Sequence, residues 1–259
     1  MSVLTIRDMT STDEAFVGTC SHIGDEGELT ACSRRRLRWL ADKTSQGLRV
    51  KVSLLNGQRA GLLYVMPIEI CPWGPLGRDL LTIPCLFIKP DAQSHGVGRA
   101  LVNEAELEVE RQGKKGLVTV AYYENSWFMP APFFERLGFT SINRRGRAGM
   151  LWKARDLTAE PPQFLQPAYE HKPLLGRVIV DLFWHTFCGT SNIEAQRVRE
   201  VAADFGERVV VREYCADDRA VFNDHQRPRG VFVNGEEIGW GYAAPRNKIR
   251  EAIQRALST

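Results

Sequence analysis

The apolar positions between residues 81 and 109 change from a continuous run to a helical repeat, which predicts a strand, a loop and a helix in that order. Leu81–Ile88 is a short apolar run of the kind that forms a buried strand. Pro90 ends this run, and the glycine-bearing segment Gln93–Gly98 follows it. Apolar residues then recur four positions apart, on one stripe of a helix, at Val97, Leu101, Ala105 and Val109.

A strand, a glycine loop and a helix start together make a site for an anion. Glycine lets the backbone approach a ligand closely, and the first N–H groups of a helix have no partner within the helix. A dinucleotide-binding fingerprint would need a third glycine where Leu101 stands, and a Walker loop would need Gly-Lys-Ser/Thr, which is absent. The pattern that remains is Gln93-x-x-Gly96-x-Gly98.

The segments before this loop predict an antiparallel meander. Val3–Met9 is a first strand, and Leu48–Leu54 alternates apolar with polar residues, as a half-buried strand does. Asn56-Gly57 is the favoured two-residue hairpin turn, and Ala60–Ile70 returns as the partner strand. Leu80–Ile88 is then the third strand of the meander.

Two further segments complete the predicted N-terminal elements. Gly116–Tyr123 is an apolar strand after the helix, and the strands on either side of such a crossover are expected to be parallel. The basic run Arg34–Arg38 lies in a helical pattern with Leu37 and Leu40 turned inward. This run is either a solvated helix face or a contact to an acidic substrate or phosphate.

Composition sets the broad class. The 259 residues are enough for two domains, and 44% hydrophobic with 25% charged residues is typical of a soluble globular protein. A net charge of +3 is too weak to argue for nucleic acid. No apolar run reaches the roughly 20 residues of a membrane span, and the N-terminus lacks the pattern of a signal peptide. We therefore expect a cytoplasmic protein without a nucleic-acid or membrane partner; a homodimer is left open.

The cysteine pattern bounds the redox and metal chemistry. The chain has six cysteines and no CxxC pair, so neither a disulfide framework nor a metal site is expected. Thiol chemistry in a reducing compartment remains. The six are Cys20, Cys32, Cys71, Cys85, Cys188 and Cys215.

A second motif, Pro132–Phe139, lies about 40 residues after the glycine loop and reads Pro-Phe-Phe-Glu-Arg-Leu-Gly-Phe. Together the two motifs resemble the GNAT acyltransferase superfamily, whose acetyl-CoA pyrophosphate loop the segment Ile88–Gly98 matches in register. The resemblance covers residues 1–153 and implies an α/β (α+β) fold, in which a mixed, mostly antiparallel sheet is flanked by helices. It also implies a CoA-dependent N-acyltransferase that moves acetyl from acetyl-CoA to an amine of a small molecule.

The resemblance also implies which residues hold the cofactor. The strand ending at Ile88 would pair with the pantetheine amides, and the loop would hold the pyrophosphate. The implied cofactor contacts are Phe87, Ile88, Gln93, Ser94, His95, Gly96, Val97, Gly98, Arg99, Asn125 and Phe134. At Phe134 the family often has a tyrosine that protonates the leaving thiolate, and phenylalanine has no hydroxyl. Either Tyr122, Tyr123 or Ser126 replaces it, or the transfer proceeds without a dedicated acid.

Acyl transfer to an amine also needs the amine to be deprotonated. Candidate bases are Glu69, placed on the second meander strand, Asp79 and His95; Glu69 is preferred because His95 lies in the phosphate loop. Cys85 lies on the strand beside the expected thioester, on the same face as Phe87. It is either a nucleophile or, as buried free cysteines usually are, a small hydrophobe.

The C-terminal part forms a separate domain in this interpretation. Residues 154–177 carry four prolines and weak apolar periodicity, which is typical of a linker. Val178–Ser191 is a strand running into a helix and resembles the thioredoxin active-site segment; Arg227–Ile238 resembles the proline-led hairpin of glutaredoxins. The resemblance covers residues 178–257, and the whole arrangement resembles the YoaP-type N-acetyltransferases.

Three departures qualify the redox resemblance. Ser191 stands where the second cysteine belongs, and the buried aspartate of the family aligns with Leu182, one residue from Asp181. Arg229, not a small residue, follows the proline expected to be cis. Cys188 sits at a helix N-terminus, which favours a thiolate, so we expect it to be the most reactive thiol and count it, with Glu69 and Cys85, as a catalytic candidate.

Three functions remain open. The first is an N-acyltransferase whose thioredoxin-like domain helps to bind or present the substrate. The second is a monothiol redox protein that uses Cys188. The third is a non-catalytic module that binds acetyl-CoA as a sensed ligand. The intact glycine loop and the missing resolving cysteine favour the first, whereas Phe134 favours the third.

Overall fold

The computed structural model describes residues 2–20, 26–124, 128–239 and 244–258. The chain divides into two compact units: unit 1 comprises Met1–Ser21 and Leu40–Phe164, and unit 2 comprises His22–Trp39 and Leu165–Thr259. Two features differ from the predicted domain bounds. Residues 22–39 group with the C-terminal unit, and the division falls inside the segment predicted to be a linker. No helix of the described residues is long and apolar enough to cross a membrane.

Unit 1 is built on a seven-stranded mixed sheet with the order β1-β2-β3-β4-β5-β7-β6. The strands are β1 (Leu4–Asp8), β2 (Arg49–Leu55), β3 (Gln58–Pro67), β4 (Leu81–Ile88), β5 (Gly116–Tyr122), β6 (Thr140–Arg145) and β7 (Ala148–Ala154). All neighbouring pairs are antiparallel except β4 and β5. The described helices that begin before residue 164 are α1 (Glu14–Thr19), α2 (Glu26–Thr44), α3 (Val97–Arg111) and α4 (Ala131–Glu135).

The predicted meander is present, with one strand shorter than expected. Asn56 and Gly57 both have positive φ and make the predicted hairpin turn between β2 and β3. The strand predicted over Ala60–Ile70 ends at Pro67, and Ile68–Ile70 form a 3₁₀ turn. The chain turns here because the Ile68 N–H bonds to the Leu80 carbonyl, just before β4 begins.

Helix α3 packs on one face of the sheet through the predicted stripe. All four stripe residues are buried in a core that also includes Leu63 of β3 and Leu117 of β5. This helix changes the prediction for β2, whose polar positions were expected to face solvent. Lys51 is 2% exposed, because α3 covers that face of the strand. Its Nζ lies 2.7 Å from Glu108 Oε1 on α3 and 2.7 Å from Asp8 Oδ1 on β1.

Unit 2 contains a four-stranded sheet with the order β11-β10-β8-β9. The strands are β8 (Val178–Trp184), β9 (Val209–Cys215), β10 (Gly230–Val233) and β11 (Glu236–Glu237); the helices that follow residue 165 are α5 (Gly189–Ala203), α6 (Arg219–His225) and α7 (Arg246–Leu257). Strand β8 is parallel to β9 and antiparallel to β10. Leu182 of β8 packs in a core with α5 and α7, while Asp181 points to the other face.

The segment predicted to be a linker packs against both units, each part on its own unit. Gln163 exchanges two backbone hydrogen bonds with Leu76 in unit 1. In unit 2, the Tyr169 hydroxyl donates to the buried carboxylate of Asp181 at 2.8 Å, and its ring stacks on Phe232. The expected cis proline is also absent: within the described residues the cis peptide is Gly74-Pro75, so the bond before Pro228 is trans.

The Lys51–Glu108 pair gives a pH-dependent test of unit 1. Burial by itself would raise the pKa of Glu108, but hydrogen bonds from Lys51, Gln112 and Arg111 outweigh it and lower the pKa from 4.5 to about 2. A depressed pKa stabilises the fold above the unfolded-state value, and that contribution is lost as the pH falls from 4.5 towards 2. At neutral pH it amounts to about 3 kcal/mol.

We therefore expect Glu108→Gln to lower the melting temperature clearly at pH 7 and less at about pH 3, which lies between the two pKa values, because part of the contribution has been lost there. Glu110→Gln, on the exposed side of the same helix, is the matched control and should change little at either pH. Thermal unfolding at the two pH values measures both variants. An equal loss for Glu108→Gln at both would show that the ion pair does not stabilise the fold.

Candidate active site

Strands β4 and β5 separate soon after they begin. Their parallel register comprises only Leu81 with Leu117 and Thr82 with Val118. One further contact follows, in which the Thr119 hydroxyl donates to the Ile83 carbonyl at 2.8 Å. Beyond this point β4 keeps β3 on one side and has no registered partner on the other among the described residues.

The open part of β4 is exposed although it lies in the middle of the sheet. Its first four residues are buried, but the last four, Cys85–Ile88, are all half-buried. The β3–β4 register shifts between Tyr64 and Met66, so β4 carries an irregularity at Ile83 and Pro84. Solvent therefore reaches a central strand at the position where its neighbour diverges.

The hydrogen-bond pattern shows which backbone groups face the opening. Lys89 N donates to Ala60 O, and paired residues in an antiparallel ladder alternate between bonded and non-bonded. With the observed register, Phe87 turns its N–H and C=O towards β3, while Leu86 and Ile88 turn theirs towards the gap. Of the two strand residues predicted to contact the cofactor, Ile88 turns its backbone groups towards the gap and Phe87 turns them towards β3.

The predicted glycine loop follows the open end of β4. Pro90–Ala92 form a 3₁₀ turn, Ser94 has φ +64°, and Gly96 caps α3 with φ +77°. No side chain caps α3, and its first backbone bond runs from Ala100 N to Gly96 O. The N–H groups of residues 97–99 are thus left for a ligand, as an anion site requires.

The side chains of the loop divide between solvent and core. Gln93, Ser94, His95 and Arg99 are exposed, whereas the Val97 side chain is 1% exposed and only its backbone can serve a ligand. The His95 ring is held by its Nδ1, 2.7 Å from the Gln93 carbonyl oxygen. A positively charged Arg99 and no acidic residue in the first turn suit a phosphate.

A side chain at position 98 would lie very close to the ring of Phe133. A Cβ built there would lie 3.1 Å from Cζ of Phe133, which belongs to the second sequence motif. The two motifs found in the sequence therefore meet in space. The second motif ends as predicted, at Gly138 with φ +87°.

Residues 52–141, which include the open strand, the glycine loop and the whole second motif, match the family model of the acetyltransferase (GNAT) domain. The chain contains a GNAT acetyltransferase domain. No curated protein matches the chain by sequence.

Solved structures similar to the chain cover about three-fifths of it. PaiA N-acetyltransferase from Thermoplasma acidophilum, in complex with coenzyme A, is 15% identical with a TM-score of 0.44, over 59% of this chain and 99% of that one. The ribosomal-protein-S18-alanine N-acetyltransferase from Escherichia coli is 20% identical with a TM-score of 0.40, over 61% and 97%. The spermidine/spermine N-acetyltransferase SpeG from Vibrio cholerae is 16% identical with a TM-score of 0.43, over 59% and 94%. Identities and scores this low do not assign a substrate.

Phe134 of the GNAT domain is not at the opening. It is completely buried, with its ring packed edge-on against Phe133 and Phe139. The structure thus places it in the hydrophobic core, and its contact with the cofactor stays a prediction. Asn125 and Ser126 lie outside the described residues.

The two tyrosines that end β5 differ in their hydroxyl contacts. The Tyr123 hydroxyl donates to Glu135 Oε1 at 2.6 Å, and this hydrogen bond raises the pKa of Tyr123. Burial raises the pKa of Tyr122, which is half-buried and therefore keeps its proton at neutral pH. The Tyr123 hydroxyl is thus held by a carboxylate, and the Tyr122 hydroxyl is protonated at neutral pH.

Glu69 is not on a strand, contrary to the prediction. It lies in the 3₁₀ turn after β3, where its Oε1 accepts a hydrogen bond from Asp79 N at 2.8 Å and lies 4.0 Å from Lys114 Nζ. Its Oε2 is buried and has no hydrogen-bond partner. Asp79, the alternative base, is exposed and pairs loosely with Lys115 at 3.9 Å. Both carboxylates adjoin the closed start of β4.

Cys85 lies on the open part of β4, as predicted. It is half-buried and pairs across the ladder with Tyr64, whose hydroxyl donates to Val17 O on α1. Phe87, two residues on, has its ring centroid 6.5 Å from that of Phe16 on α1. Cys85 and Phe87 therefore face α1, the face of the sheet opposite to α3.

A second candidate site lies in unit 2 around Cys188. This residue is the N-cap of α5 and is half-buried, as predicted. Its Sγ lies 2.9 Å from the Thr190 hydroxyl, and that oxygen accepts a hydrogen bond from Arg229 Nη1 at 3.2 Å. Arg229 is held by two hydrogen bonds to Glu194. Sequence reasoning noted Arg229 only as a departure and missed Thr190 and Glu194.

The residues around Cys188 explain the missing second cysteine. Ser191 is completely buried, and its hydroxyl accepts a hydrogen bond from His185 N at 3.1 Å. Burial, with the charges of Arg229 and Arg36, lowers the pKa of His185 to about 3, so the ring is neutral and its Nδ1 accepts from Cys188 N. Ser191 thus supports the loop rather than reacting.

Part of the basic run predicted to face solvent or an acidic substrate belongs to this site. Arg36 is 2% exposed, and its Nε donates to the Phe187 carbonyl at 2.6 Å. The carbonyl belongs to the residue that precedes Cys188. Arg36 therefore fixes the backbone before the thiol, which neither alternative from the sequence described.

Cys188 and Cys215 should differ sharply in reactivity. Burial, with the nearby charge of Asp217, raises the pKa of Cys215 to about 12, so it has almost no thiolate at neutral pH. Cys188 is half-buried at a helix N-terminus with a hydroxyl beside its sulfur. We expect iodoacetamide at pH 7 to label Cys188 much faster than Cys215, measured by mass spectrometry of peptides. The Cys188→Ser variant is the control for peptide assignment. Similar slow labelling of both would show that the α5 N-terminus does not activate the thiol.

Proposed function

We propose that the protein is a CoA-dependent N-acyltransferase that moves an acetyl group from acetyl-CoA to an amine of a small molecule. The observation that carries this proposal is the open stretch of β4, which leads directly into a glycine loop and an uncapped helix N-terminus. The pyrophosphate would bind the N–H groups of residues 97–99, near Arg99. The pantetheine amides would pair with the backbone of Leu86 and Ile88, which points into the gap.

The reacting groups are part of the same proposal. The amine nitrogen attacks the thioester carbonyl carbon, the C–S bond breaks, and the thiolate takes a proton. Tyr122 is the proposed donor, because its hydroxyl stays protonated and Phe134 has none. Glu69 is the proposed base for the amine proton, because one of its carboxylate oxygens is unpaired. Cys85, beside the thioester, is a small wall residue in this proposal and not a nucleophile.

Unit 2 is proposed to be thioredoxin-like and to help bind or present the acceptor. The support is its strand order and its parallel β8–α5–β9 crossover, in which the half-buried Cys188 is the N-cap of α5. The trans bond at Pro228 and the structural role of Ser191 weigh against dithiol redox chemistry. Unchanged acetyl transfer by Cys188→Ser would support a binding role, whereas its loss would make the thiol part of the reaction.

A monothiol redox protein is the second candidate, and the observation that favours it is the Thr190 hydroxyl beside Cys188 Sγ. In that case a mixed disulfide with a small thiol would persist, because Ser191 has no sulfur to resolve it. A non-catalytic sensor of acetyl-CoA is the third, favoured by the buried phenylalanine at position 134.

The cofactor site is tested by Gly98→Asp. The new side chain meets Phe133 and places a negative charge among the free N–H groups, so we expect it to abolish stabilisation by acetyl-CoA, which wild-type protein should show in a thermal shift assay. Asn103→Asp adds the same charge on the exposed face of α3 and should leave the shift intact. An undiminished shift in Gly98→Asp would refute the cofactor site.

The reacting groups are tested by kinetics. We expect Tyr122→Phe and Glu69→Gln each to lower kcat by about 100-fold, the usual size of a general acid or base effect, with the acetyl-CoA thermal shift unchanged. Wild-type turnover in either variant would remove that residue from the mechanism.

A further inference from the structure

The side of β4 that faces α3 is closed to an acceptor. Leu86 and Ile88 pack against the core formed by α3, which includes the completely buried Leu101 and Leu63. An acyl group held in the gap between β4 and β5 therefore has protein on this side. An amine can approach the thioester carbon only from the opposite face, where the side chains of Cys85 and Phe87 point.

That opposite face is apolar and aromatic in the part of the chain that the structure describes. Phe87 and Cys85 stand beside Leu62 and Tyr64, their partners across the ladder, and both partners are buried. Phe16 of α1 lies over Phe87 at 6.5 Å between centroids, and both rings are half-buried. The Tyr64 hydroxyl is already bonded to Val17 O. We call Phe16, Phe87, Cys85 and their two partners the aromatic wall; it presents the faces and edges of aromatic rings to a ligand.

The acidic groups at the start of α1 do not serve this wall. Asp13 is completely buried and bonded to Arg7, Arg59 and the Thr10 N–H; burial opposes these bonds, but they hold its pKa well below the usual range. Glu14 is exposed and two residues from Phe16, so the two side chains point to different sides of the helix. Neither acidic side chain described at the start of α1, Asp13 or Glu14, is thus placed to balance a second or third positive charge on an acceptor at this wall.

We propose that the acceptor is a primary amine carried on an apolar, aromatic body, of the arylalkylamine class, and that Phe16 and Phe87 bind its ring. This inference rests on the proposed acyl transfer and names the substrate class of that site. The ring lies beside the two phenylalanines, and the amine reaches the thioester carbon past Cys85. The products are the N-acetyl amide and CoA with a free thiol.

The test compares three amines with the full-length protein and acetyl-CoA: 2-phenylethylamine, hexylamine and spermidine. We expect kcat/KM for 2-phenylethylamine to exceed that for spermidine by at least tenfold, with hexylamine between them, since hydrophobic pockets discriminate by about 10- to 200-fold. Phe16→Ala and Phe87→Ala should each raise KM for 2-phenylethylamine about tenfold, with little change for spermidine. Ile142→Ala, an exposed apolar residue on β6, is the matched control.

The outcomes separate this inference from the proposed function. An acetyl-CoA thermal shift like that of wild type confirms that each variant is folded, and Phe87→Leu replaces Phe87→Ala if it is not. A preference for spermidine, or an unchanged 2-phenylethylamine to spermidine ratio in the phenylalanine variants, overturns the acceptor class but leaves acyl transfer in place. If none of the three amines is acetylated, the proposed acyl transfer fails. The aromatic site is then tested by titrating 2-phenylethylamine into the CoA-bound protein. Binding that Phe16→Ala weakens supports the site, and no binding overturns it.

Discussion

The separation of β4 from β5 after Thr82 is the constraint on which the site depends. Two parallel strands that stayed paired would bury their backbone groups in each other and leave no room for a ligand. Here the last four residues of a central strand are half-buried instead, and two of them turn their N–H and C=O groups towards the gap. The irregularity at Pro84 lies where the change begins. The strand leads through the glycine loop to the N-terminus of α3. One local departure from ladder geometry therefore places an open strand edge next to free helix N–H groups.

The rest of unit 1 holds this opening in place. Helix α3 must lie with its N-terminus at the end of β4, and a buried ion pair at its far end joins it to β2. Because Glu108 and Lys51 are both nearly inaccessible, moving the helix would leave a charge unpaired in the core, which is costly. At the near end, Gly98 allows Phe133 to pack against the first turn. The helix is thereby fixed at both ends, and its free N–H groups point at a defined place.

In unit 2 the chemistry around Cys188 depends on side chains that are distant in the sequence. Arg36 comes from α2, and Arg229 comes from the segment before β10, yet both contact the loop that carries the thiol. The charges of these two guanidinium groups, together with burial, keep His185 neutral. Ser191 is buried and bonded to the backbone of the same loop, so it has a structural role. A single thiol with a hydroxyl partner is the result.

The sequence by itself determined the elements and the two motifs. The four-residue spacing that begins at Val97 specified α3, and Asn56-Gly57 specified the hairpin between β2 and β3. Gly96 and Gly98 specified a loop in which the backbone can approach an anion. These features are local, because a turn or a helix stripe depends on neighbouring residues. The tertiary structure decided what depends on distant partners: that Lys51 is buried, that Glu69 lies in a turn beside Asp79, that Phe134 is core, and that residues 22–39 and 165–172 belong to the second unit. Periodicity predicts which side of an element is apolar, but only packing determines what covers that side. For this reason the contact between Phe16 and Phe87 could not be predicted from the sequence.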